Sequence, residues 1–188
     1  MTVTINLTSP NFSGIVTGIG ACIIDALDQT PAGAPCRQCL LLPTASIPWD
    51  DCDCDCEAPG QVGLAITQVF GSQIFPTPAS PTDWSHCGPN FWVASVVASV
   101  TRCVTGIDEN GHPPPCDVAL GEAIRLEQDR LAVRQAIACC LDQYKADGTF
   151  RVGAWILLPS VTVGELGGCA GSETTFLVGV RACACPTG

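Results

Sequence analysis

The sequence predicts an α+β domain: a mostly antiparallel sheet with two helices packed on it. Three observations lead there. Trp92, Ala94, Val96, Ala98 and Val100 alternate along Phe91–Cys103, so one face of a strand is wholly apolar. Asp117–Tyr144 continues without Gly or Pro after Gly121 and carries apolar residues at helical spacing. Helices and strands are segregated along the chain, in the order helix, two or three strands, helix, two strands, and no internal repeat breaks that order. A length of 188 residues fits one domain over 1–188. Within it, an irregular Cys/Pro-rich loop is expected over 30–60 and a Gly-rich hairpin over 160–175.

Ser9-Pro10 reads as a helix start, with serine as the cap and proline in the first turn. Ile15, Ile19, Cys22, Ile23 and Ala26 follow at helical spacing, which predicts a helix over Pro10–Asp28. Gly14, Gly18 and Gly20 weaken its propensity but permit close approach of a neighbour. A short strand is expected at Cys39–Leu42 and a longer one from Val62 to Phe70. Phe75–Pro81 is a rigid, proline-rich loop. On the far side of the Phe91–Cys103 strand, Ser95, Ser99 and Thr101 form a face that need not be fully buried. After the turn at Asp108–Pro115 comes the long helix. Two apolar stripes run along it: Leu120, Ala123, Ile124, Leu131, Ala138 and Leu141, and beside them Leu126, Val133, Ile137, Cys140 and Tyr144. That arc is wider than one sheet contact requires, so the helix is expected to meet another element or subunit as well. Strands at Val152–Leu158 and Thr175–Cys185 complete the domain, joined through Gly164–Gly171.

Charged residues make up only 14 % of the chain, and a surface so poor in charge favours association over a free monomer. The net charge of −10 includes just eight Lys and Arg, too few for a phosphate-binding patch. No secretory signal is expected: no Lys or Arg precedes Arg37, and the apolar run Gly14–Ile24 is too short and too glycine-rich to span a bilayer.

Chemistry-bearing groups are sparse. His86 and His112 are the only histidines, and Asp83-Trp-Ser-His-Cys87 holds triad residue types merely as loop neighbours. No phosphate loop, metalloprotease motif or calcium loop occurs, so no catalytic residue and no cofactor is predicted. Glu127, Arg130 and Arg134 interrupt the apolar arc of the long helix. They suit intrahelical pairing or a contact between subunits. The second alternative places Arg134 against a carboxylate of an adjacent copy, because Arg130 is near enough to satisfy Glu127 and Arg134 then lacks an acid nearby.

Fourteen cysteines stand out. The densest group is Cys36, Cys39, Cys52, Cys54 and Cys56, which is compatible with disulfides, with a four-thiolate zinc site and with redox chemistry, in that order. The acids Asp51, Asp53, Asp55 and Glu57 between and beside these thiols raise their pKa unless a dication is bound. Cys169 and Cys183 are further disulfide candidates, whereas Cys22 and Cys140 sit on apolar stripes and are expected to stay free thiols in the core.

Trp49-Asp-Asp-Cys52, Gly60-Gln-Val-Gly-Leu64, Phe70–Pro78, Cys87-Gly88, Val100-Thr-Arg-Cys103, Ala132–Cys140 and Gly167–Glu173 occur in an order and spacing that resembles cysteine-rich head-to-tail connector proteins of long-tailed actinobacterial phages. The likeness covers most of Pro35–Cys185, and the element order is similar to that of phage tail terminators. The Cys-Asp-Cys-Asp-Cys56 run departs from that pattern in having more cysteines. The resemblance implies a virion structural protein at the head–tail neck, assembled in the host cytoplasm as a ring, six-fold by analogy with tails. Its implied partners are other copies of itself, the major tail tube protein and a head-side connector protein. DNA would pass through the channel without specific binding, and no membrane is involved. A stopper or adaptor ring of the same neck is the nearest alternative. A small cytosolic zinc-binding or redox module on Cys36–Cys56 is the alternative from another class.

Overall fold

The computed structural model describes residues 11–42, 56–80, 88–166 and 168–182. Helix α1 (Phe12–Asp28) is followed by strands β1 (Arg37–Leu42), β2 (Gln61–Ser72) and β3 (Phe91–Cys103), helix α2 (Cys116–Asp147), and strands β4 (Val152–Leu166) and β5 (Cys169–Arg181). The strands form one sheet in the order β1-β2-β3-β5-β4. β1 runs parallel to β2 and every other neighbouring pair is antiparallel, so the α+β domain has a mixed sheet. β3 lies at its centre and is paired along its length with β2 on one side and β5 on the other. No described helix is long and apolar enough to cross a membrane.

Both helices lie on one face of the sheet, α1 over β1 and β2, α2 over β3, β5 and β4. The alternation in β3 decides which face that is. Ala94, Val96, Ala98 and Val100 point under the helices, with Val62 and Leu64 from β2 and Phe176, Val178 and Val180 from β5 beside them. Ile15, Val16, Ile19, Ile23 and Leu27 of α1, and Val133, Ile137 and Leu141 of α2, close the core from above. Burial of this set is the main stabilising term, since each fully buried aliphatic side chain contributes about 1.5–3 kcal/mol. The opposite face of β3 is less open than its serines suggest, for Ser99 and Thr101 are 2 % and 3 % exposed.

Several boundaries differ from those the sequence suggests. α1 begins at Phe12, and its cap is Asn11, whose side-chain oxygen accepts a hydrogen bond from the Gly14 amide at 3.0 Å. Ser9 and Pro10 lie outside the described residues. The Gly164–Gly171 connection is mostly ladder rather than loop, because β4 and β5 extend to Leu166 and from Cys169. Gly171 makes that extension feasible: a Cβ there would collide with the Val100 carbonyl oxygen of β3. α2 is longer than expected at 32 residues. Its C-terminal half is packed and its N-terminal half stands largely free, with Leu120, Ile124 and Leu131 at 62 %, 49 % and 56 % exposure. The surplus width of the apolar arc is therefore on the outside of the domain.

The two helices meet closely. A side chain at Gly18 of α1 would run into the phenol oxygen of Tyr144 on α2, so the glycine is what lets that ring lie against the helix. Tyr144 in turn stacks edge-on against Phe150, with ring centroids 5.2 Å apart.

Candidate functional site

One end of the sheet carries a buried polar junction that draws four segments together. Arg102, at the end of β3, continues the inward alternation past Val100 and so points beneath α2. There its Nε donates to Asp129 Oδ2 at 2.7 Å. Its remaining nitrogens donate to the Gly33 carbonyl at 2.6 Å and to the Pro59 carbonyl at 3.3 Å. The other Asp129 oxygen accepts from the Thr30 hydroxyl at 3.1 Å. Every nitrogen of the guanidinium and both carboxylate oxygens thus have partners, which is the condition for tolerating a buried ion pair.

A cavity of about 250 Å³ opens beside this junction, between Pro31, Pro59, Glu57, Arg102, Glu122 and Arg125. Two of its charged groups, Arg102 and Glu122, are engaged. Glu122 accepts from both the amide and the hydroxyl of Thr105 at 2.8 Å. Cys103, also on its wall, is held in a disulfide.

The candidate residues on α2 find their partners within the chain. Arg130 pairs with Glu127 at 2.6 Å, and the hydrogen bond to Glu127 raises the Arg130 pKa above its ordinary value. Arg134 has acceptors within its own chain. It donates to the Leu158 carbonyl at 2.8 Å and to the Ser160 hydroxyl at 3.1 Å. A register shift between Leu157 and Ser160 in edge strand β4 interrupts the ladder at that carbonyl, and Arg134 takes it up.

The cysteines divide into bonded and free. Cys36 is joined to Cys56, which brings the start of β1 to the segment leading into β2 and withdraws two thiols from any zinc set. Cys39 is a free, partly buried thiol. Cys52, Cys54 and Cys183 lie outside the described residues, as do His86 and the Asp83–Cys87 stretch. Cys169 is fully buried and disulfide-bonded. The expectation of free core thiols at Cys22 and Cys140 is corrected, because a disulfide joins them. Each was read from its own apolar stripe; the stripes of α1 and α2 face one another, and that brings the sulfurs together. Cys116 and Cys139 are free and exposed. His112 sits in the exposed turn before α2, where its ring nitrogen lies 3.2 Å from Asp108. The Asp108 carboxylate accepts from the amides of His112 and Asn110, both at 2.8 Å, and the His112 amide is the leading cause of its lowered pKa.

The chain's other conspicuous feature is apolar. Leu120, Ile124 and Leu131 form a stripe on the side of α2 turned away from Val133, Ile137 and Cys140. No family model and no curated protein matches the chain.

Proposed function

We propose that this chain is a phage virion structural protein, the tail terminator ring that closes the tail tube and joins it to the neck of the head. The ordered segments between Pro35 and Cys185 support the phage connector reading. The observation that carries assembly is the open stripe of Leu120, Ile124 and Leu131 on α2. Exposed apolar side chains aligned along one side of a helix, on a sparsely charged protein, favour an interaction site. A sheet with both helices on one face is compatible with a tail-terminator-like subunit.

In this reading the copies form a closed hexamer between the major tail tube protein and a head-side connector, built in the host cytoplasm and retained in the virion neck. Its role is structural and calls on no catalytic group. The charge balance suits a DNA conduit. Of the eight cations, Arg102 is buried, Arg130 is tied to Glu127 and Arg134 is tied to β4. An acidic wall repels phosphate and lets the polymer slide.

Deleting the gene from the phage and imaging the particles tests the reading. The expected result is filled heads and separate tails, with joined particles restored when the protein is supplied. Joined, infectious particles without the protein would refute it.

A further inference from the structure

The exposed turn ahead of α2 contains the chain's one Asn-Gly pair. Of the four asparagines, Asn6 precedes Leu7, Asn11 precedes Phe12, Asn90 precedes Phe91 and Asn110 precedes Gly111. Without a side chain on the following residue, the glycine nitrogen is unhindered and can attack the neighbouring amide, the reaction that makes asparagine thermolabile. We propose that Asn110–Gly111 is a self-modification site, at which the asparagine is converted to aspartate and isoaspartate, and that Asp108 sets the rate by holding the turn closed. This goes beyond the ring reading and does not depend on it.

Residues 108–111 form a turn closed by the Gly111 amide, which donates to the Asp108 carbonyl at 2.9 Å. The Asp108 carboxylate secures it. One oxygen accepts from the amides of Asn110 and His112, both at 2.8 Å, and the carboxylate also takes a hydrogen bond from the Asn110 side chain. The Asp108 amide donates in its turn to the His112 carbonyl at 3.0 Å. Aspartate suits this position because its short side chain reaches the amide two residues on. Residues 107–113 are all exposed, and a Cβ added at Gly111 would meet nothing within 4 Å. Water therefore reaches the pair, and no neighbour blocks the approach of the Asn110 side-chain carbon to the Gly111 nitrogen. The other described asparagines are engaged elsewhere: the Asn11 oxygen caps α1, and the Asn90 side chain donates to the Gln73 carbonyl at 3.0 Å.

The chemistry needs only water. Hydroxide removes the Gly111 amide proton, and the nitrogen attacks Asn110 Cγ. The Cγ–Nδ2 bond breaks, ammonia leaves with a proton taken from water, and a cyclic imide remains. Water then adds at either imide carbonyl. Opening at Cγ gives aspartate. Opening at the backbone carbonyl routes the chain through the side chain and gives isoaspartate. The balance is one water consumed and one ammonia released. The closed turn opposes the first step, because the Gly111 N–H is donated to Asp108 and the Asn110 side chain is drawn toward the Asp108 carboxylate. Local opening must therefore precede attack. The products hinder reclosure. Isoaspartate lengthens the backbone inside the loop that Asp108 and His112 close, and both products set a further carboxylate beside Asp108 and Glu109.

The test keeps the purified full chain in mildly alkaline buffer, samples it over time and maps its peptides by liquid chromatography with mass spectrometry, which separates the asparagine, aspartate and isoaspartate forms. The wild type is followed both folded and in unfolding urea, beside folded Asp108→Ala and Asp108→Ser. Circular dichroism confirms that the variants are folded. The folded wild type is expected to convert at Asn110 more slowly than the unfolded chain. Asp108→Ala should convert on the order of 10-fold faster than the folded wild type, because the turn has lost charge-assisted hydrogen bonds. Asp108→Ser keeps an acceptor for the turn amides and should fall closer to the wild type. In urea, Gly111→Ala should slow conversion, and in the folded wild type Asn11 and Asn90 should stay amides. Absence of conversion at Asn110 even in urea overturns the site. Equal rates in the folded and unfolded wild type, or in the folded wild type and Asp108→Ala, overturn the role given to Asp108.

Discussion

Arg102 on β3 and Asp129 on α2 meet at 2.7 Å with only 7 % and 1 % of their side-chain surfaces exposed. The pair fastens the sheet to the long helix at the end where α1 gives way to β1. Removing one partner leaves a buried charge without compensation, which costs about 3–5 kcal/mol. Asp129→Ala and Arg102→Ala are therefore each expected to lower unfolding stability by roughly that amount in urea. Replacing both by aliphatic residues, as in Arg102→Met with Asp129→Leu, should be less damaging than either single change. A double variant as unstable as the sum of the singles would show that the two act independently.

This junction also shows where the sequence is legible and where it is not. β3 and α2 are readable because alternation and a Gly- and Pro-free run are local signals. Arg102 continues the inward phase of β3, and Asp129 falls four residues before Val133 on the packed stripe of α2. Two opposite charges at apolar-phase positions are the signal that identifies the pair, but their partnership spans a turn whose geometry is not written in either segment. The intrachain contact of Arg134 is illegible for a different reason. Its acceptor is a backbone carbonyl at an irregularity of β4, and no side-chain pattern announces a carbonyl. Cys22 and Cys140 read as core on their separate helices; their bond depends on how the helices face.

Helix contact at Gly18 gives a prediction whose sign depends on two opposed effects. Alanine is favoured over glycine in a helix by about 1 kcal/mol. Overpacking costs about 1–3 kcal/mol, and the added methyl meets the Tyr144 phenol oxygen. Gly18→Ala should therefore destabilise the wild type. In a Tyr144→Phe background, where that oxygen is gone, it should become neutral or stabilising. Thermal unfolding of the four proteins checks this, and an equal effect in both backgrounds would contradict the contact.

The disulfides differ in the chain they enclose. Cys22 and Cys140 are 118 residues apart and Cys36 and Cys56 are 20 apart. Loop entropy alone assigns them about 5 and about 3 kcal/mol. Reductant should accordingly lower the unfolding midpoint, and Cys22→Ala with Cys140→Ala should account for the larger share. Without denaturant, iodoacetamide should label Cys116 and Cys139 but not Cys22 or Cys140. Labelling of Cys140 in the native oxidised protein would contradict the assignment.

The turn before α2 is expected to respond to acid. Asp108 titrates below the ordinary aspartate value because its carboxylate accepts from the His112 and Asn110 amides. A depressed folded pKa means that its contribution is complete above the unfolded value and disappears as pH falls through the folded one. Acidification through that range should open the turn and speed amide exchange at Asn110 and His112. Asp108→Asn should remove the pH step. An NMR titration midpoint for Asp108 at or above the ordinary value would refute this.

Association is the claim from which the rest of the functional account follows, and native mass spectrometry of the purified wild-type chain across a range of concentrations measures it directly. The account predicts a single closed oligomer of six copies, with no ladder of open intermediates at high concentration. A chain that remains monomeric at every concentration, or stops at a dimer, would contradict it.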